Sequence, residues 1–275
     1  MATHEQRPVK AGLSRRNVFR GAAVAAGGVL LGGAVDLGGA PVVLAAGTPV
    51  IYARADWKAR KATQSSQVVS TMPDHIVVHH TATANATNYS KEHAFSLSRG
   101  IQNHHMNSNG WNDTGQQLTI SRGGHIMEGR NRSIDAIVQR RHVIGAHVAN
   151  HNSHTVGIEN EGTYTSATPP GALMDSLVET CAWLCVVYRL DPKRAIVGHR
   201  DFNATSCPGD KLYSMLPKLR TDVAALLDRL KTTLPQAGTE QVPDANCPDF
   251  PDVPQNERAM EFYHGPTVGS RDTAG

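Results

Sequence analysis

An α/β fold is what this sequence predicts, and two observations predict it. Short apolar runs suited to strands alternate along the chain with longer segments whose apolar residues recur every three or four positions. The two kinds of segment interleave from about residue 75 to about residue 231, so they build one domain rather than separate ones.

The first element is His75-Ile76-Val77-Val78-His79-His80, a buried strand that runs into Thr81-Ala82-Thr83, small polar residues suited to a loop. Residues about 91 to 107 read as helix. Gly110 to Gly115 is a turn-rich break. Gln117-Leu118-Thr119-Ile120 and Ile126-Met127-Glu128 then form a hairpin across Arg122-Gly123-Gly124. The stretch from Asn131 to Arg141 carries no pattern and reads as loop, and Thr155 to Glu159 is the next strand. Pro169-Pro170 opens a helix in which Leu173, Leu177, Cys181, Leu184 and Tyr188 share a face. A short strand, Ala195-Ile196-Val197, precedes Gly198-His199, and a last helix over about 215 to 231 aligns Leu216, Leu219, Val223, Leu226, Leu227 and Leu230.

Composition narrows the function. The chain has 275 residues, 40% hydrophobic and 19% charged, which excludes global disorder and a disulfide-stapled miniprotein. Lys+Arg number 27 against 24 Asp+Glu, but the first 46 residues hold five basic and two acidic side chains, which leaves 22 of each in the remainder. Nucleic acid as a partner loses its only compositional support. Composition changes again after Leu234: residues 235–275 hold six prolines, seven acidic and two basic residues with no lasting periodicity, and read as a mobile acidic tail.

The N-terminus reads as an address. Ser14-Arg15-Arg16-Asn17-Val18-Phe19-Arg20 precedes an uncharged stretch from Gly21 to Val35 and then Val43-Leu44-Ala45-Ala46. This resembles a twin-arginine export signal cleaved after Ala45 or Ala46, so residues 1–46 fall outside the folded domain, taken as 47–234. The apolar stretch is Gly-rich and ends at Asp36, short of the ~20 residues a membrane span requires, so a secreted, extracytoplasmic protein with no membrane contact after cleavage is expected. Cargo of this route crosses folded, so a metal can be inserted before export. Of the four cysteines, Cys181 and Cys185 lie four apart in one helix, a poor geometry for bridging each other, and no disulfide framework with Cys207 and Cys247 follows.

Two histidines, His79 and His199, stand at strand ends, where α/β folds display reactive groups. Eight residues after His199, in His199-Arg200-Asp201-Phe202-Asn203-Ala204-Thr205-Ser206-Cys207-Pro208-Gly209-Asp210, comes a cysteine held in a Pro-Gly turn. Two imidazoles and a thiolate suit tetrahedral Zn²⁺ with a fourth position open to water. Each residue alone is also compatible with a structural place in the core, and spacing does not decide between the two.

Four segments, taken together, resemble the zinc-dependent N-acetylmuramoyl-L-alanine amidase family that includes the peptidoglycan recognition proteins and the phage lysozyme-type amidases. They are Ile76-Val77-Val78-His79-His80-Thr81-Ala82; Gly110-Trp111-Asn112-Asp113-Thr114-Gly115 with Glu128-Gly129-Arg130; Gly145-Ala146-His147 with Asn152 and Thr155-Val156-Gly157-Ile158-Glu159; and Gly198-His199-Arg200-Asp201 with Thr205-Ser206-Cys207-Pro208-Gly209-Asp210. They occur in family order across about residues 50 to 230.

The resemblance implies a central mixed sheet flanked by helices, with zinc at the floor of a surface groove. It implies His79, His199 and Cys207 as zinc ligands, with His80 structural. His147 would face the scissile bond, either donating to the oxyanion or packing behind a ligand, and Thr205 would orient the substrate carbonyl or water. Arg54, Trp57, Trp111, Gln116 and Asn152 would line the groove. The implied substrate is peptidoglycan or a muropeptide, cut between N-acetylmuramic acid and L-alanine. One position departs: the family's frequent tyrosine after Trp-x-Asp-x-Gly is Gln116 here, and glutamine is no general base. Glu159 matches the glutamate used by anhydromuropeptide-type amidases of the same fold, although strand alternation puts Glu161 on the same face. The alternative function is a peptidoglycan-binding module without catalysis. No His-Glu-x-x-His, Pro-Cys-x-x-Cys or Gly-x-Ser-x-Gly motif points to another hydrolase.

Overall fold

The computed structural model describes residues 48–230 together with Asn246, Pro248, Ser270 and Asp272. The expected export segment and most of the expected acidic tail lie outside the described residues. Within them the strands are β1 (Ile51–Tyr52), β2 (Val68–Val69), β3 (His75–His80), β4 (Leu118–Ile120), β5 (Ile126–Glu128), β6 (His142–Val143), β7 (Thr155–Asn160) and β8 (Ile196–Gly198). The helices are α1 (Lys91–Asn107), α2 (Ser133–Val138), α3 (Gly171–Tyr188), α4 (Pro192–Ala195) and α5 (Asp210–Leu230).

Six strands form one sheet in the order β1-β5-β4-β7-β3-β8, while β2 and β6 make a separate antiparallel ribbon. The hairpin β4–β5 is antiparallel and every other pairing in the large sheet is parallel, so the sheet is mixed. β3 and β7 are central and wholly buried, which is why both read as nearly continuous strand sequence without polar alternation.

Side-chain alternation divides the sheet into two unlike faces. Ile76 and Val78 of β3, Val156 and Ile158 of β7, Leu118 and Ile120 of β4, and Ile196 of β8 pack on one face against α3 and α5. The stripe Leu173, Leu177, Cys181 and Leu184 of α3 meets Leu212, Leu216, Leu219 and Val223 of α5 there. The opposite face carries smaller clusters: Val77 and Val197 with Val148 and Phe202, and Trp57 with Ala94 of α1 and Met127 of β5. His79 and Glu159 occupy positions of the same parity as Val77 and Gly157, so they project from this second face. Among the described residues only α3 is long and apolar enough to cross a membrane, and its buried stripe is part of the core.

The sequence-predicted strands, hairpin and helices are all present within a few residues. α5 begins at Asp210, ahead of the expected start, because Asp210 sits in its first turn and accepts from Arg200 Nη1 at 2.8 Å. α2 forms where a loop is expected: Glu128 Oε1 accepts the Ile134 N–H at 3.1 Å and Arg130 O accepts the Ser133 hydroxyl at 2.8 Å, contacts invisible to periodicity. Among the described residues of the C-terminal extension, Asn246 and Asp272 bond to the domain. Asn246 Nδ2 donates to Asp74 Oδ2 at 2.6 Å, and the Asp272 carboxylate accepts the Asn150 N–H at 2.6 Å and Asn152 Nδ2 at 3.0 Å.

Leu184, wholly buried between sheet and α5, tests the packing. Leu184→Ala is expected to lower unfolding free energy by about 2–5 kcal/mol in urea titration.

Candidate active site

β3 delivers His79 near its C-terminal end, and β8 runs directly into a 3-10 turn over His199–Asp201. The chain then returns to place Cys207 between them. One ligand atom from each of His79, His199 and Cys207 lies within 4.8 Å of the other two, and all three residues are buried. Cys207 Sγ is 3.7 Å from His79 Nδ1 and accepts the His80 backbone N–H at 3.4 Å.

The second ring nitrogens fix the tautomers. His147 Nε2 is 3.3 Å from the Thr155 carbonyl, which can only accept, so His147 carries its proton on Nε2. Burial lowers the His147 pKa to about 3, keeping the ring neutral. His147 Nδ1 therefore accepts from His79 Nε2 at 3.1 Å, and the lone pair of His79 Nδ1 faces Cys207. Asn203 Oδ1 accepts the Ala149 N–H at 3.0 Å and lies 3.0 Å from His199 Nε2, so His199 likewise donates from Nε2 and keeps Nδ1 for a ligand. Metal-bound histidines characteristically donate their other N–H in this way.

The residues present therefore fit a zinc ion: two oriented imidazoles, one sulfur and a partner behind each ring. Burial pushes the Cys207 thiol well above its ordinary range and the Glu159 charge adds to this, while the His80 N–H and Arg200 act the other way. Binding a divalent cation here is consequently coupled to release of the thiol proton.

The loop that carries Cys207 is held from within. Arg200 Nη1 bonds Asp210, its Nη2 donates to the Ser206 carbonyl, and its guanidinium lies 4.7 Å over the Tyr213 ring. Asp201 accepts the Gly198 N–H at 2.7 Å and the Tyr213 hydroxyl at 2.6 Å. Gly209 has φ +87°, and a Cβ there would lie 2.4 Å from the Tyr164 carbonyl carbon, so only glycine closes this turn. Thr205, 2% exposed, accepts the Cys207 N–H on Oγ1 at 3.2 Å, which ties it to the ligand loop.

Glu159 is the register partner of His79 on the neighbouring strand and of Thr119 on the other side. Burial raises its pKa to about 8. Glu161 is separated from it, because β7 ends at Asn160 and Glu161 turns to His93 Nε2 at 2.5 Å and the Arg122 N–H at 2.8 Å. Of the two carboxylates, Glu159 is thus the one in register with His79.

The groove residues fare unevenly. Trp57, expected in the groove wall, is fully buried beneath β5 with Nε1 donating to the Glu128 carbonyl at 2.9 Å, so no substrate reaches it. Arg54 pairs with buried Asp113 at 3.0 Å and lies 5.3 Å over Trp57, a framework contact rather than an open wall. Asn152, also expected to meet substrate, is buried, its Oδ1 accepting the His147 and Val148 N–H groups at 2.7 and 3.1 Å; it shapes the loop that holds His147. Gln116 is buried, donating to Thr119 Oγ1 at 2.9 Å, while its Oε1 meets no hydrogen-bond partner among the described residues. Trp111 is partly exposed and packs on His105 with centroids 4.6 Å apart. Sequence reasoning missed Asn203, although its place four residues after His199 was a readable signal for a ring partner.

Comparison with known proteins supplies the family. A family model described as N-acetylmuramoyl-L-alanine amidase matches residues 69–210, just over half of the 275-residue chain. The chain is similar to the human N-acetylmuramoyl-L-alanine amidase, 30% identical over 173 residues that make up 62% of this chain and 28% of that protein. It thus spans under a third of that relative's length. It is also similar to Drosophila melanogaster peptidoglycan-recognition protein LB, 29% identical over 61% of this chain and 67% of the relative. The solved structure of wild-type Drosophila PGRP-LB superposes with a TM-score of 0.53 at 29% identity, covering 60% of this chain and 91% of that one. A variant of that protein has been solved in complex with tracheal cytotoxin. On the strength of the family match across more than half of its length, the chain belongs to the N-acetylmuramoyl-L-alanine amidase family.

Proposed function

We propose that the chain is an exported, zinc-dependent N-acetylmuramoyl-L-alanine amidase that hydrolyses the amide between the lactyl carbonyl of N-acetylmuramic acid and L-alanine. The observation that carries this is the buried convergence of His79, His199 and Cys207 beside Glu159 on one face of the sheet. The relative solved with tracheal cytotoxin supports a muropeptide as the ligand class. Export rests on the paired arginines and the Ala45-Ala46 cleavage site.

In this reading His79, His199 and Cys207 hold the zinc. Zinc so held supplies Lewis acidity, polarising a carbonyl and making water acidic enough to ionise near neutral pH. Glu159 takes the proton of the attacking water and delivers it to the leaving nitrogen as the carbon–nitrogen bond breaks. His147, engaged at both nitrogens inside the protein, acts by orienting His79 rather than by touching the oxyanion. Thr205 acts through the Cys207 turn. Gln116, whose Nε2 donates to Thr119 Oγ1, favours the competing reading, a groove that binds without cutting, because it replaces the family tyrosine. The intact ligand triad and Glu159 favour catalysis.

Three outcomes are expected. Cys207→Ala loses a zinc equivalent and releases no stem peptide from purified peptidoglycan, as read by metal analysis and mass spectrometry; stoichiometric Cys207-dependent zinc without any release by the wild type would establish the binding module instead. Glu159→Gln keeps that zinc while the rate falls about a hundred- to ten-thousand-fold, the usual worth of a general acid–base. In protein stripped of metal, Glu159 ionises near its usual 4.5 when unfolded but only near about 8 when folded, so the folded state binds more protons between these values. The stability difference between wild type and Glu159→Gln in urea should therefore fall as pH rises from 4.5 towards 8, on top of the opposite slope that buried neutral His147 and His142 contribute up to 6.5.

A further inference from the structure

At the other end of β3 from His79 lies a second cluster that the proposed reaction does not use. Asp74 immediately precedes β3, His75 begins it, and His154 immediately precedes β7. Asp74 Oδ1 is 2.8 Å from His75 Nδ1 and 2.7 Å from His154 Nδ1, and one ligand atom from each residue lies within 4.8 Å of the other two. Four residues along a strand put His75 and His79 about 13 Å apart, so the two clusters cannot share an ion.

We propose that Asp74, His75 and His154 form a second metal site, which takes a borderline divalent ion such as Zn²⁺ through one carboxylate oxygen and two imidazole nitrogens.

The donor set is the two-histidine, one-carboxylate combination that zinc and its neighbours in the first transition row accept. The surroundings are built as metal sites are built. His154 Nε2 lies 3.0 Å from His151 Nδ1, a partner for the ring nitrogen that faces away from the ion. Asp74 Oδ2, the oxygen not turned to the histidines, accepts from Asn246 Nδ2 at 2.6 Å. Phe202 fixes the imidazole planes, with its ring centroid 5.3 Å from His75, 4.4 Å from His151 and 6.0 Å from His154. Burial works against ionisation of Asp74, but hydrogen bonds from His154 and His75 outweigh it and hold the carboxyl well below the usual range, so the anionic ligand is present throughout the neutral region. His154 and Asp74 keep 11% and 16% side-chain exposure, which gives an ion a route in from solvent.

Binding replaces the two hydrogen bonds to Oδ1. Each imidazole moves its proton from Nδ1 to Nε2, and the three donors spread to the roughly 3.3 Å separation that bonds of about 2.0–2.1 Å impose. The protein is already tied at this point, since the Asp74 N–H donates to His154 O at 2.9 Å. An ion there pins together the entries to β3 and β7, the two strands that carry His79 and Glu159 at their far ends. Its role is a clamp on strand register rather than a participant in hydrolysis.

The full chain in a Cys207→Ala background isolates this site from the first. After dialysis against Zn²⁺ and removal of free metal, Cys207→Ala should retain about one zinc per chain, and the Cys207→Ala/His154→Ala variant none. Asp74→Asn, which keeps shape and removes only the charge, should also abolish retention, so the proposal survives a His154 variant that fails to fold. Zn²⁺ should raise the melting temperature of Cys207→Ala and leave that of Cys207→Ala/Asp74→Asn unmoved. With Co²⁺ as probe, Cys207→Ala should show visible ligand-field bands without thiolate charge transfer. Retention of no zinc by Cys207→Ala, or retention indifferent to both His154→Ala and Asp74→Asn, overturns the proposal. The readouts are metal content and melting of a chain lacking Cys207, so their failure leaves the amidase reading standing, and failure of that reading leaves them unchanged.

Discussion

The site depends on one register: His79 of β3 beside Glu159 of β7 in a parallel pairing buried on both faces. A one-residue slip of β3 would turn His79 into the apolar layer under α3 and α5 and bring Val78 to the cleft beside Glu159. The pairing is locked from the opposite face, where Ile76, Val78, Val156 and Ile158 pack with both helices. Chemistry on one face is thus enforced by hydrophobic burial on the other, and the ligand loop after β8 has only to bring Cys207 to a position already defined.

Burying so many polar groups is costly unless each finds a partner, at about 1–3 kcal/mol for each one left unsatisfied. The solution is a layer of side-chain amides behind the site. Asn203 serves His199 and the Ala149 backbone, Asn152 gathers the His147 and Val148 N–H groups, and Asn160 Nδ2 donates to the His79 carbonyl at 2.8 Å. Gln117 bridges the Gly157 N–H and the Val143 carbonyl at 2.7 and 2.8 Å. Gly157 completes the arrangement by having no side chain: a Cβ there would stand 2.6 Å from His147 Nδ1, the atom that accepts from His79.

Much of this was legible in the sequence because β3, β7, α3 and α5 have strong periodicity that tertiary packing reinforces. The convergence of His79, His199 and Cys207 was legible less from spacing than from four ordered motifs, since His79 and Cys207 are separated by more than half of the domain. What was not legible is instructive. β1, β2 and β6 each span two residues, too few for a period, and α2 forms through contacts from Glu128 and Arg130. Trp57 and Asn152 read as groove residues because motif matching registers identity and not depth; the fold buries both and uses them as support. Glu159 and Glu161 were equivalent by parity, and the end of β7, which releases Glu161 to His93, sets them apart in space.

The proposed metal-assisted cleavage of one amide bond rests on family membership and the buried His79–His199–Cys207 cluster, and that proposal has a direct test. Purified muropeptide should be digested by the wild-type protein in water enriched in heavy oxygen, and both products weighed. The account predicts one labelled oxygen in the lactyl carboxylate of the muramic acid product and an unlabelled stem peptide with a free L-alanine amine. Label in a peptide carboxylate, label at a sugar anomeric carbon, or no cleavage at all would contradict it.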